Sequence, residues 1–317
     1  VPATKTVNNK RINLMFDVLG IGAYSIDYMC VTDGYPREDE KMEVDTVAIQ
    51  GGGNIATACV AVGRLGGKVG YHGVIGSDDN TRLILEELKR EKVNTDNVEI
   101  KKGNNPAAFI IINREKSTRT IVYSKKKVPI FGSEDVDTGV LKKAAVLLID
   151  FYFEKASLRA AREAKKIGIP VVLDAERVSP LAEEILKNTT HVVASKNFAL
   201  KYTGCPEDTD MDTVLETIIQ KTVCPYVFIT LGHDGVIGYD RANKKKYYRN
   251  AFEVDVFDTT GAGDVFHGAF SLFLSRKYSI DDILIYSSAC SAIKCRELGG
   301  RKGIPTMKEV EGFLKVN

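Results

Sequence analysis

The strongest constraint on the fold of this chain is a rhythm. Short apolar runs, "DVLGIG", "GKVGYHGVIG", "AAVLLID", "IPVVLD", "THVVAS" and "YVFITLG", alternate with stretches of helical periodicity at 54–65, 81–91, 155–167 and 213–222. A strand apolar on both faces must be covered on both faces, and strands joined through helices pair parallel. The pattern predicts an α/β fold: a mostly parallel central sheet between two layers of helices. After Gly261 the periodicity turns almost wholly helical, at 264–274, 280–296 and 307–315.

Two segments, 28–50 and 107–123, break this rhythm. They contain "EVDTVAI" and "AAFIIIN" and run into "TRTIVYS", the alternation of half-exposed strands. They read as a small sheet standing off the main body, either a lid over a site or plain surface hairpins.

Composition removes several classes of function. Lys plus Arg is 44 and Asp plus Glu is 42, a net charge of +2, so bulk charge does not point to a nucleic-acid partner. No apolar run approaches the ~18 residues of a membrane span, and the opening "VPATKTVNNKRINLMF" lacks the apolar core of a secretory leader. Six cysteines are scattered without a Cys-x-x-Cys pair, the pattern of reduced thiols in a cytoplasmic protein. The four histidines do not cluster and read as structural.

In open parallel sheets, ligands sit beyond the carboxyl ends of the strands. Asp27, Asp150, Asp174 and Thr230 with Gly232 fall at such ends. The most pointed stretch is "VFDTTGAGDVFHGAFSLFL", in which two glycines and a carboxylate stand directly ahead of an apolar helix. Glycine lets backbone N–H groups approach an anion, and a helix N-terminus favours negative charge. Residues 261–264 therefore form a candidate anion hole, with Asp264 placed to take a proton from an attacking hydroxyl; a glycine-rich helix cap would look the same. A second glycine run, "QGGGNIATACVAVGRLGG", also leads into a helix. Residues 51–53 bring backbone close to a sugar hydroxyl or simply permit a tight turn. Neither run is a Walker A loop or a Rossmann fingerprint.

Over nearly its full length the chain resembles the PfkB/ribokinase family of sugar and nucleoside kinases. "GGGNIATACVAVGRLGGKVGYHGVIGSDD" and, about two hundred residues later, "DTTGAGDVFHGAF" carry the resemblance. It implies one ribokinase-like domain over 1–317, a three-layer α/β/α sandwich with a small β-lid inserted at about 28–50 and 107–123. It implies transfer of the γ-phosphate of Mg-ATP to a hydroxyl, with Asp264 as general base and Gly261, Ala262 and Gly263 as the anion hole. Asp27, Gly52 and Gly53 would hold the acceptor. Thr230, Gly232 and Gly235 of "TLGHDG", with Ser195, would lie along the nucleotide, and Asp258 and Thr260 near a monovalent cation such as K+.

The chain is most similar to the ketohexokinase-like branch, through "DGYPREDEKM", "STRTIVY" and "VVASKNFALKYTG". That similarity implies Asn54 and Arg119 at the sugar. It also implies Asp39 on a lid loop that reaches a partner subunit's site, hence a homodimer joined through the lids. The family's Asn-x-x-Glu, which helps organise magnesium and phosphate, falls on Ser195 and Phe198. The usual sugar-contacting Asn falls on Thr57, expected to face the acceptor in its place, another on Ser25, and His267 stands where Asn is common. These departures disfavour ribose and leave a ketohexose such as fructose as the expected acceptor. The alternatives are an acidic sugar, its charge on Arg119, a nucleoside with its base among Tyr24, Tyr28, Phe151 and Tyr152, and a non-catalytic binding protein.

Overall fold

The structure is a computed structural model and describes residues 14–317 except 45 and 117; most of the stretch read above for a leader lies outside the described residues. In chain order the strands are β1 (Phe16–Ile21), β2 (Ser25–Thr32), β3 (Thr46–Gly52), β4 (Val69–Tyr71), β5 (Gly73–Ile75), β6 (Val93–Asn94), β7 (Val98–Ile100), β8 (Ala107–Asn113), β9 (Thr118–Ser124), β10 (Ala144–Ile149), β11 (Val171–Ala175), β12 (His191–Ser195), β13 (Tyr226–Thr230), β14 (Val236–Asp240) and β15 (Lys245–Arg249). The helices are α1 (Asn54–Arg64), α2 (Thr81–Arg90), α3 (Thr138–Leu141), α4 (Glu154–Lys166), α5 (Ala182–Leu186), α6 (Lys196–Thr203), α7 (Met211–Lys221), α8 (Ala262–Ser275), α9 (Ile280–Lys294) and α10 (Met307–Leu314).

Nine strands form one sheet in the order β15-β14-β13-β12-β11-β10-β1-β4-β6. Pairings from β6 to β13 are parallel, and β13, β14 and β15 close one edge antiparallel. The apolar runs of β10, β11 and β12 are almost wholly buried, as strands covered on both faces must be. Helix α8 packs on both α1 and α9, with α1 and α8 also on β1 and its neighbours, while α3, α4 and α5 pack in series and α6 packs on α7. No helix among the described residues is long and apolar enough to cross a membrane.

Half of the helices described start on a side-chain cap. Asp210, Ser279 and Thr306 each accept a backbone N–H from the first turn of α7, α9 and α10. Helices α1 and α8 begin instead at Gly53 (φ 83°) and Gly261 (φ 75°), without a side-chain cap. Gly53 lies against the Tyr24 backbone, where an added Cβ would come within 2.3 Å of its Cα. Both positions require glycine for conformation and for space.

The segments 28–50 and 107–123 contribute to a four-stranded sheet, β3-β2-β8-β9. Its pleat separates two faces. Val47, Ile49, Phe109 and Val122 share one face and are exposed. Met29, Val31, Ala108, Ile110 and Ile112 share the other and pack with Leu298 of the main body. Asp27 and Arg119 lie on that inner face, Arg119 opposite Ile112.

Two local expectations change. "GKVGYHGVIG" is two strands, not one: the chain breaks at His72, whose N–H donates to Gly20 O and whose ring bonds Asn97 O and the Asp137 N–H. Strand β5 then leaves the main sheet and pairs with β7. The β14–β15 hairpin carries little sequence signal, because its lysine-rich second strand looks like a solvated loop.

Candidate active site

The site is built at the carboxyl edge of the sheet, where α1 and α8 begin. Gly52 leaves room for Asp27: an added Cβ would fall 2.1 Å from Asp27 Oδ2. Asp27 is buried and accepts from Ser25 Oγ at 2.8 Å. Burial pushes its pKa up, while Ser25 and the Arg301 charge pull it down.

Beneath these glycines lies Arg301, 2% exposed. Its Nη2 donates to Gly52 O (2.9 Å) and its Nε to Thr57 Oγ1 (3.3 Å). Its Nη1 stands 3.3 Å from Glu87 Oε1, and Glu87 Oε2 accepts the Gly51 N–H at 2.5 Å. Thr57, expected at the acceptor, is instead buried under the glycine run, its hydroxyl accepting from Arg301.

Asn54 opens α1 and donates through Nδ2 to Asp174 Oδ2 (3.1 Å) and Glu176 Oε2 (2.8 Å). Asp174 is buried at the end of β11, with His267 Nε2 at 3.5 Å from its Oδ1. His267 also bonds Gly263 O (2.6 Å) and Val193 O (3.1 Å), tying the first turn of α8 to β12. Asp150, buried beside it, accepts the N–H groups of Ala23 and Tyr152, each at 2.8 Å. Burial raises its pKa to about 7, against the pull of those two bonds.

Asp264 stands in the first turn of α8. Its surface is partly exposed, yet its carboxyl lies deep enough that burial, with the charges of Asp174, Glu176 and Asp27, holds its pKa well above the usual carboxylate range. The same charges show that Asp264 and the Asp27 pocket share one electrostatic site. Ahead of it, the Ala262 N–H donates to Thr259 O at 3.2 Å, while Gly263 is exposed with open space where a Cβ would be.

On the other side of α8 lies a cavity of about 770 Å³. Thr230, Gly232 and Gly235 line its sheet end, Phe252 and Val254 its wall, and Ala262 and Gly263 its floor. A large cavity with apolar walls and a glycine-led helix start fits a nucleotide. Ser195 pairs with Thr230 in the sheet, and its Oγ caps α6 by accepting the Phe198 N–H. Arg119 reaches across from β9 to donate to Thr259 Oγ1 at 2.7 Å, beside the start of α8. Asp39 is exposed on the loop between β2 and β3, in a left-handed conformation (φ 62°).

Asp258 and Thr260 bond each other. Asp258 Oδ1 accepts the Thr260 N–H and Oγ1, Oδ2 accepts the Gly299 N–H, and Asp258 O accepts Lys294 Nζ at 2.7 Å. Burial lowers the pKa of Lys294, with Asp258 as the leading opposing influence. Among the described residues no cluster of three His, Cys, Asp or Glu could hold a metal by itself.

Arg301, Glu87, Glu176 and Lys294 were not anticipated. Each sits in a charged stretch that reads as solvated helix or turn, and only the tertiary structure brings them together.

The architecture is ribokinase-like. It matches the structure of Arabidopsis thaliana ribokinase complexed with ribose and ATP at a TM-score of 0.83 and 22% identity, over 95% of this chain and 99% of that one. Residues 15–307 match the pfkB family of carbohydrate kinases, and the chain belongs to that family. It is 27% identical to a ribokinase of Schizosaccharomyces pombe over 321 residues, 95% of this chain and 99% of the relative. It is 24% identical to a 5-dehydro-2-deoxygluconokinase of Shouchella clausii over 318 residues, 95% and 96% of the two chains.

Proposed function

We propose that this sugar kinase phosphorylates a hydroxyl of a small neutral sugar, a ketohexose such as fructose, from Mg-ATP. Mg-ATP brings the phosphoryl group and part of the charge neutralisation; the chain brings the geometry. Asp27, the Gly52 and Gly53 backbone and Asn54 hold the acceptor. Asp264 takes the proton of the attacking hydroxyl. The N–H groups of Gly261, Ala262 and Gly263 meet the negative charge of the transferred group; the Ala262 N–H, turned to Thr259, would have to turn for this role. Thr230, Gly232 and Gly235 border the nucleotide; Ser195, expected beside them, stands one strand away with its Oγ capping α6 and does not line the cavity. With no protein cluster for it among the described residues, magnesium would ride on the phosphates with at most one or two carboxylates.

The observation that carries this reading is Asp264 itself. A carboxyl at a glycine-led helix start, its pKa raised by burial and by the acceptor pocket's acids, is a strong proton acceptor once ionised. Those acids also speak to the substrate. Asp27, Asp150, Asp174, Glu176 and Asp264 converge, and the nearby Arg301 is committed to Gly52, Thr57 and Glu87. Such a pocket favours hydroxyl donors over an anion.

An acidic acceptor rests on one observation: the Arg119 guanidinium stands exposed beside Thr259 at the start of α8. The relative named for a gluconate-type substrate keeps this reading in view. The nucleoside reading loses support, because Tyr24 and Phe151 are buried, Phe151 stacks on Phe198, and Tyr28 stacks on Phe109. The exposed apolar outer face of the small sheet supports a homodimer joined through the lids, with Asp39 reaching the partner. The reduced-thiol pattern supports a cytoplasmic setting, with six free cysteines in the structure.

The test is ATP consumption against a panel of ketohexoses, aldoses, sugar acids and nucleosides, with Arg119→Ala alongside. A neutral ketohexose should drive turnover, and Arg119→Ala should retain it. Turnover on a sugar acid alone, abolished in Arg119→Ala, would replace the proposal with the acidic reading.

A further inference from the structure

The loop that leads into α8 rests on a fully buried lysine. Lys294, 0% exposed, is the last residue of α9, and its Nζ donates to Asp258 O at 2.7 Å. The N–H groups of Phe257 and Asp258 both donate to Cys295 O, at 2.8 and 3.1 Å, and Ser291 Oγ donates to Ala262 O at 2.9 Å. The 257–262 stretch therefore sits on the C-terminal end of α9, where unpaired carbonyls and the helix dipole concentrate negative potential. A cation is favoured there, and a side-chain amine already fills the position.

The family resemblance implies a monovalent ion at Asp258 and Thr260. The residues do not fit one. Both carboxylate oxygens of Asp258 are taken by donors from Thr260 and Gly299, and its carbonyl by Lys294. An ion bound to that carbonyl would share one oxygen with an ammonium, a like-charge contact inside the protein.

We infer that the Lys294 ammonium is a built-in replacement for the monovalent cation, so that this kinase works without K+. Lys294 is a positioning residue: it neutralises the carbonyl at Asp258 and fixes the loop from which α8 presents Gly263 and Asp264. The inference rests on the kinase reading only where turnover is measured.

The test compares the full-length protein with Lys294→Ala and Lys294→Met in tetramethylammonium chloride and in KCl at equal ionic strength. Thermal unfolding is measured without substrates, and turnover separately. Wild type should show the same unfolding midpoint and turnover, within about twofold, in both salts. Lys294→Ala opens space without charge, so K+ should raise its midpoint saturably and restore turnover by about tenfold or more. Lys294→Met fills the space without charge, so it should lose turnover that K+ does not restore. Activation of wild type by K+ of about tenfold or more would overturn the inference. So would a folded Lys294→Ala whose midpoint ignores K+, or a Lys294→Met fully active in tetramethylammonium. If Lys294→Ala does not fold, wild type and Lys294→Met still decide. Failure of the kinase reading would silence turnover in every salt and leave the unfolding measurements standing.

Discussion

Replacing Arg301 by Met should destabilise the protein through Glu87 rather than through the arginine's own contacts. Arg301 is 2% exposed and Glu87 6%. Arg301→Met removes the cation and leaves the Glu87 carboxylate buried with the Gly51 N–H as its recorded hydrogen-bond partner. Breaking a buried ion pair from one side costs about 3–5 kcal/mol. Here the lower end applies, because Arg301 Nη1 faces Glu87 at 3.3 Å without hydrogen-bond alignment. Adding Glu87→Gln removes the stranded charge while an amide oxygen can still accept from Gly51. The double variant then lacks chiefly the donor to Gly52 O, a loss of about 1–2 kcal/mol. Urea unfolding with an unchanged m-value measures both. The double variant should be more stable than Arg301→Met by about 1–2 kcal/mol. Equal stability of the two, or an Arg301→Met loss below about 1 kcal/mol, would refute the argument that charge burial is at stake.

Gly52→Ala would drive a methyl into the Asp27 carboxylate, so KM for the acceptor should rise about tenfold or more while ATP binding by calorimetry is retained; an unchanged KM would remove Asp27 from the acceptor site. Burial pushes the Asp150 pKa up to about 7 from an ordinary 3.8 and so favours the protonated form. The associated stability is fully present below pH ~4 and lost as pH rises through about 7, an amount of up to ~4 kcal/mol. Asp150→Asn should flatten the pH dependence of urea unfolding across that window, whatever it costs in backbone hydrogen bonds.

Much of the fold was legible because the signals are local. Continuous apolar runs marked β10 to β13, and alternation marked β3, β8 and β9, since burial on two faces or one is written into successive residues. The two bare glycine-led helix starts at Gly53 and Gly261 were visible for the same reason. The support of the site was not. Arg301 lies 249 positions from the Gly52 carbonyl it holds, and Glu87 lies in "EELKRE", which reads as a solvated helix. Lys294, in "SAIKCREL", looks like a favourable charge on a helix end until its side chain is found turned inward. His267 read as a structural histidine, and its bonds are consistent with that. What periodicity missed was that it ties Gly263 to Asp174 and β12.

The central claim is that Asp264 activates the acceptor hydroxyl in a pocket it does not itself hold together. Its most direct test is Asp264→Asn, with sugar binding followed by calorimetry and phosphorylation followed by turnover. Sugar affinity should stay within about threefold of wild type, while turnover falls by about 10²–10⁴. Turnover close to wild type, or loss of turnover matched by loss of sugar binding, would contradict the account.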